Sequence, residues 1–166
     1  MRAQDIIALL QLEPLPLEGG FFRQTYRAAK WPPSGSPGTP LGTAIYFLLT
    51  PDNFSAMHRL QADEIYHFYF GDPVEMLLLP PDGSGQTFLL GNDLPAGMRP
   101  QKIVSRGVWQ GSRLRPGGPH GFALIGTTMT PGFTWQNFEL GRAEDLLADY
   151  PDFAEMIKAR VRAVAP

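Results

Sequence analysis

Glycine and proline interrupt this chain so often that no long helix can run through its middle, and that limits the fold more than any other feature. Among 166 residues there are 18 glycines and 17 prolines. They gather in GDP at 71–73, PPDGSG at 80–85, LGNDLPAGMRP at 90–100, RPGGPHG at 115–121 and TPG at 130–132. Such clusters force turns, because glycine takes backbone angles closed to other residues and proline has no amide hydrogen to give a ladder. The runs between them are rich in aromatic and β-branched residues. They predict strands at 20–28, 43–49, 65–70, 74–79, 86–90, 103–104, 108–114, 122–129 and 133–140. Many short strands joined by tight turns point to an all-β sandwich or barrel.

The two ends differ from the middle. Residues 3–12 place Ile6, Ile7, Leu9 and Leu10 at near-helical spacing until Pro14 and Pro16 stop the pattern, which predicts a short amphipathic helix. Beyond Gly141, residues 142–150 and 151–164 read as helices, with Pro151 suited to a first turn. Phe153, Met156, Ile157, Val161 and Val164 share one face of the second, the pattern of a helix docked on a core. WPPSGSPGTP, residues 31–40, reads as a mobile loop too short to divide domains. At this length and with 43% hydrophobic residues, one domain spanning 1–166 is expected, with the barrel at about 18–140.

Composition removes several function classes. Formal net charge is -2, and the basic residues are scattered, so the positive stripe that phosphate-backbone binding needs is missing and no nucleic-acid partner is expected. No cysteine is present, which excludes disulfides, thiolate nucleophiles and cysteine-ligated zinc. No segment approaches the roughly 20 apolar residues of a membrane-spanning helix. The first residues lack a cleavage signal, so no membrane contact and a cytoplasmic location are expected.

Chemistry concentrates in MHRLQADEIYHFYFG, residues 57–71. In a strand beginning near Glu64, alternation puts Glu64, Tyr66, Phe68 and Phe70 on one face and Ile65, His67 and Tyr69 on the other. A bend at Gln61-Ala62-Asp63 would return the chain and set the imidazole of His58 beside the Glu64 carboxylate.

These residues resemble the first motif of the cupin superfamily, whose usual form is His-x-His, three or four residues, Glu, six residues, Gly. Here His58-x-Leu60 is followed by three residues, Glu64, six residues and Gly71. Ser105-Arg106-Gly107-Val108-Trp109-Gln110 stands where the second motif has Pro-x-Gly-x-x-His, so Leu60 and Gln110 replace two histidines. More closely, the chain is similar to a cupin-like family catalogued as a domain of unknown function. The matching segments are 18–23, 43–49, His58 with Asp63-Glu64, 71–73, 107–110 and 131–133. The resemblance implies an all-β fold, a double-stranded β-helix or jelly-roll barrel with short flanking helices. It also implies frequent pairing as a homodimer, a state that edge strands and apolar outer positions such as Ile65 and Tyr69 favour too.

Three functions stay open. In the first, a small-molecule cupin acts on a sugar or sugar nucleotide as isomerase or epimerase: His58 is the base, Glu64 orients it, and Tyr46 or Tyr66 is the acid. Gln110 then hydrogen-bonds the ligand, Trp109 and Phe47 offer stacking surface, and Arg23 and Arg59 face the diphosphate of a sugar nucleotide or nucleoside diphosphate. In the second, the barrel binds or is structural without catalysis, His58 being a hydrogen-bonded interior residue and Glu64 paired with Arg23 or Arg59. The third is a metal-dependent oxygenase in which His58, Glu64 and Gln110 hold a divalent metal at low occupancy. Gln110 is a weak neutral ligand for it. His120, in its glycine-proline turn, reads as a solvated surface residue.

Overall fold

In a computed structural model that describes residues 1–29 and 38–162, the short strands close into two antiparallel sheets packed face to face. The first sheet runs β1 (Glu13–Pro14), β2 (Phe21–Arg27), β3 (Thr43–Leu49), β10 (Ala123–Met129), β5 (Glu64–Gly71), β8 (Gln101–Val104). The second runs β11 (Phe138–Leu140), β4 (Phe54–Leu60), β9 (Trp109–Leu114), β6 (Val74–Leu79), β7 (Gln86–Leu90). Neighbours that are distant in sequence, such as β3 beside β10 and β4 beside β9, give the jelly-roll winding. Alternation on each strand sends Phe47, Leu49, Tyr66, Ala123 and Ile125 of the first sheet and Val74, Met76, Leu78 and Leu114 of the second into one shared core.

Both outer faces are partly covered. Helix α1 (Ala3–Leu10) buries Ala3 and Ile6 against Leu48, Phe122 and Leu124 on the outside of the first sheet. Helices α2 (Ala143–Asp149) and α3 (Ala154–Lys158) bury Leu146 and Ile157 against Met57, Leu77 and Leu79 on the outside of the second. Among the described residues, no helix is long and apolar enough to cross a membrane.

Four sequence expectations change. Residues 54–60 form a strand that their hydrophobic pattern does not announce. The expected strand at 133–140 shrinks to β11, because Phe133, Trp135 and Phe138 pack edge-on against one another and a 3-10 turn occupies Trp135–Asn137. The helix at 3–12 ends at Leu10, with Gln11 in the left-handed region. The helix expected over 151–164 is a 3-10 turn at Pro151–Phe153 followed by the short α3. The loop at 31–37 and Val164 lie outside the described residues.

After α3 the chain turns inward. Arg160 is 1% exposed; its Nη2 lies 2.5 Å from Glu75 Oε1 and its Nη1 donates to the Met156 carbonyl at 3.1 Å. Its own carbonyl accepts from the Met57 amide at 2.7 Å, so this residue fastens the C-terminal helices to the second sheet. Truncating this buried side chain empties its site and removes its bonds to Met156 and Glu75, whose own side chain is 36% exposed, at a cost of roughly 3 kcal/mol. Arg160→Ala is therefore expected to lower the melting temperature by about 6–12 °C. Arg2→Ala, which removes a fully exposed pair with Asp5, leaves it in place. Differential scanning calorimetry of the two variants checks the contrast.

Candidate functional site

The interior polar residues are set by one irregularity in β4. Ser55 pairs with Ser112 and His58 with Gln110, so three residues of β4 span two of β9. This β-bulge puts Ser55 and His58 on the same inner face although they are an odd number apart. Three neighbours hold the bulged backbone: the Ala56 amide donates to the Glu18 carbonyl at 2.9 Å, the Met57 amide to Arg160, and the Gly141 amide to the Met57 carbonyl.

His58, 1% exposed, has both ring nitrogens engaged. Nδ1 lies 2.8 Å from the Ala56 carbonyl, which can only accept, so Nδ1 carries the hydrogen and Nε2 presents its lone pair. The Gln110 amide nitrogen donates to that lone pair at 3.2 Å and to Glu64 Oε2 at 2.8 Å. Those two bonds use both amide hydrogens and fix which way the amide points. Gln110 Oε1 is then left buried with no partner among the described residues. The ring of Phe138 stacks on the imidazole, centroids 5.2 Å apart and planes at 21°.

Two more acids share this enclosure. Tyr66 is 2% exposed, and burial above all, then the charges of Glu64 and Glu18 and a hydrogen bond to Glu64, hold its phenol well above its usual value. Glu18 reaches in from the turn before β2, where its Oε1 accepts from Ser55 Oγ at 2.6 Å. Burial pushes its carboxyl above the ordinary carboxylate range; Glu64 adds to the shift, while His58, Ser55 and Arg162 oppose it. Gly71, which ends the motif, has φ 113°, and a Cβ there would run into the Phe122 carbonyl.

His58, Glu64 and Gln110 thus converge, and Tyr66 joins them. Phe47 also lies inside, its ring packed so tightly on Gly20 that a Cβ would sit 2.6 Å from it. Four expected site residues lie outside the barrel, each beside an inward neighbour and so turned outward by the strand's alternation. Tyr46 meets Tyr69 edge-on at 6.0 Å on the outer face of the first sheet. Arg23, paired in register with Tyr46, donates to the Leu10 carbonyl and to Gln11. Arg59 makes a two-pronged ion pair with Glu139 at 2.7 and 2.9 Å, its guanidinium 4.5 Å above the Trp109 ring. Trp109 in turn packs on the cluster around α2 and α3. Neither arginine pairs with Glu64. Sequence reasoning missed Glu18, Ser55 and Ser112; the turn Glu18-Gly19-Gly20 was the one available signal for the first.

Rolled sheets whose two motif segments meet in the interior define a cupin. A family profile described as Cupin superfamily (DUF985) matches residues 4–141, and the chain belongs to that family. An X-ray structure of a Shewanella oneidensis protein superposes with a TM-score of 0.89 at 38% identity, covering 99% of each chain. An uncharacterized protein of Saccharomyces cerevisiae is 31% identical over 143 residues, 78% of this chain and 71% of that one. Oxalate decarboxylase from Bacillus subtilis shares the fold at a TM-score of 0.57 and 12% identity, with this chain spanning 41% of its length.

The metal implied by the superfamily does not fit this donor set. Leu60 and Gln110 occupy two ligand positions, and both nitrogens of His58 are committed to Ala56 and Gln110. Among the described residues, no three His, Cys, Asp or Glu side chains gather closely enough to hold an ion. Two good donors are fewer than the three protein ligands such centres use.

Glu18 makes stability depend on pH in a definite direction. A carboxyl whose folded value is raised keeps its proton longer in the native state, so stability is full below the ordinary glutamate value near 4 and is lost as pH rises through the raised value. Glu18→Gln is expected to remove this decline. Urea unfolding of both proteins in steps from about pH 4 to pH 8 measures it, and parallel curves would count against the buried acid.

Proposed function

We propose that the barrel is a metal-independent proton-transfer site for a small hydroxylated carbonyl compound, acting as a sugar isomerase or epimerase. The observation that carries this reading is the division of roles among buried groups. In one enclosure His58 directs the lone pair of Nε2 inward, while burial raises the Glu18 carboxyl and holds the Tyr66 phenol well above its usual value. Pairs of titratable groups pushed apart by their surroundings are the usual arrangement for one base and one acid.

The reaction follows from those roles. His58 Nε2 takes the proton from the carbon beside the carbonyl, and the electron pair moves onto the carbonyl oxygen to give an enediolate. The Glu18 carboxyl or the Tyr66 phenol donates to that oxygen as charge develops. Return of the proton to the former carbonyl carbon, with the neighbouring hydroxyl giving its proton to the acid that protonated the first oxygen, yields the isomer. Protonation of the first carbon on the face opposite His58 by the Tyr66 phenol, with the enol proton returning to the phenolate, yields the epimer. Glu64 acts through Gln110, whose 2.8 Å bond to the carboxylate is shorter than its 3.2 Å bond to the imidazole. The longer bond yields first when substrate needs Nε2. A free sugar is preferred over a sugar nucleotide because Arg23 and Arg59, the candidates for a diphosphate, have their guanidinium groups engaged outside the barrel.

Incubation with a panel of aldoses and ketoses in deuterium oxide, with chelator present, tests this by NMR. Deuterium is expected at the carbon beside the carbonyl of at least one sugar, and His58→Asn is expected to slow the exchange about 100-fold or more. Exchange that chelator abolishes, or that His58→Asn leaves intact, would contradict the assignment. Binding without exchange would favour a non-catalytic barrel.

A further inference from the structure

Two polar atoms on the inner face of β9, Gln110 Oε1 and Ser112 Oγ, are buried with no hydrogen-bond partner among the described residues. Neither is easily rescued from within. Gln110 has spent both amide hydrogens on His58 and Glu64, and Ser55, opposite Ser112 in register, gives its hydroxyl to Glu18. Folded proteins rarely keep unpaired buried acceptors, and those they keep ask for a donor from elsewhere.

The surrounding charge limits what that donor can be. Carboxyl groups of Glu18 and Glu64 face inward, while Arg23 and Arg59 lie outside the barrel, Arg160 is engaged by Glu75, and the exposed Arg162, packed by Gly19 and Phe54, offsets part of the Glu18 charge alone. An anionic ligand would be repelled; a neutral one rich in hydroxyl donors would not. Inward residues two apart on a strand are separated by about 7 Å, which hydroxyls a few carbons apart on a sugar-length chain can bridge.

A way in is also visible. The segment from Phe133 to Phe138 is a partition between two clefts. One, of about 750 Å³, is lined by Phe133 and Trp135 on the partition and by Phe22 and Gln24 of β2; the other, of about 710 Å³, is lined by Phe138 and Arg106. Phe138 is the ring that lies flat on His58 and also lines the second cleft, so displacing it would open the imidazole toward that cleft.

We propose that the inner face of β9 is the recognition edge for an uncharged polyhydroxylated ligand, with one hydroxyl donating to Gln110 Oε1 and another meeting Ser112 Oγ. This rests on the reading of the barrel as a sugar site and adds its ligand class and two contact atoms. The probes are pentitols and hexitols, which have no carbonyl and cannot react, alongside aldonates and sugar phosphates of the same carbon length. By titration calorimetry at least one polyol is expected to bind, with its anionic counterparts at least about tenfold weaker. Ser112→Ala is expected to weaken polyol binding about three- to tenfold and to raise the melting temperature of the ligand-free protein, because it deletes an unpartnered hydroxyl.

Failure of every polyol to bind, equal or tighter binding of the anions, or unchanged affinity in Ser112→Ala would each overturn the proposal. So would a lower melting temperature in that variant, since it would mean that the hydroxyl already has a partner. The outcome is separable from the isomerase reading. Sugar deuterium exchange without polyol binding removes this inference alone, and polyol binding without exchange removes the isomerase alone.

Discussion

The side-chain amide of Gln110 is the polar link between the two sheets. It sits on β9 of the second sheet and donates to Glu64 on β5 of the first, and its other hydrogen goes to His58 on β4. An amide nitrogen has only hydrogens to offer, so this single group requires an acceptor on each side. That requirement makes Glu64 a hydrogen-bond acceptor, turns the imidazole lone pair inward and leaves Oε1 without a donor among the described residues. A histidine at this position would have offered a third good metal donor; glutamine instead ties the two remaining donors to each other.

The amide could not make both bonds without the bulge in β4. A regular strand would have put Ser55 and His58 on opposite faces, exposing one of them to the outer helices. The extra residue costs β4 a continuous ladder, and the loss is offset by amides and carbonyls from Glu18, Arg160 and Gly141. Glu18 therefore serves twice, its backbone holding the bulge and its carboxyl entering the barrel beside Ser55. The N-terminal turn, the C-terminal segment and the site are mechanically joined at Ala56 and Met57.

Much of the barrel was legible in the sequence, and its failures have physical causes. Strands β6 and β7 begin and end where glycine and proline turns put them, at 74–79 and 86–90. Strand β4 escaped because its bulge breaks the two-residue alternation by which a half-buried strand is recognised. On β3, apolar residues lie on both faces, so alternation could not decide whether Tyr46 or Phe47 pointed inward; α1 covering the outer face accounts for the ambiguity. His58, Glu64 and Gln110 could be read together through their motif spacing. Glu18 could not, since it approaches Ser55 from 37 residues away through a turn that sequence describes only as flexible. Arg59, expected at a diphosphate, and Trp109, expected as a stacking surface, adjoin His58 and Gln110, and adjacency on a strand means the opposite face.

Nuclear magnetic resonance of the protein with 15N-labelled histidine tests the central arrangement most directly. The chain has three histidines, and His67 and His120 lie apart from the enclosure, so the His58 signals can be assigned by single substitution. The account predicts that the hydrogen of the neutral His58 ring sits on Nδ1 and that a bare Nε2 accepts from the Gln110 amide. A hydrogen on Nε2 of the neutral ring would contradict it, because two N–H groups would then face each other and the amide could not join His58 to Glu64.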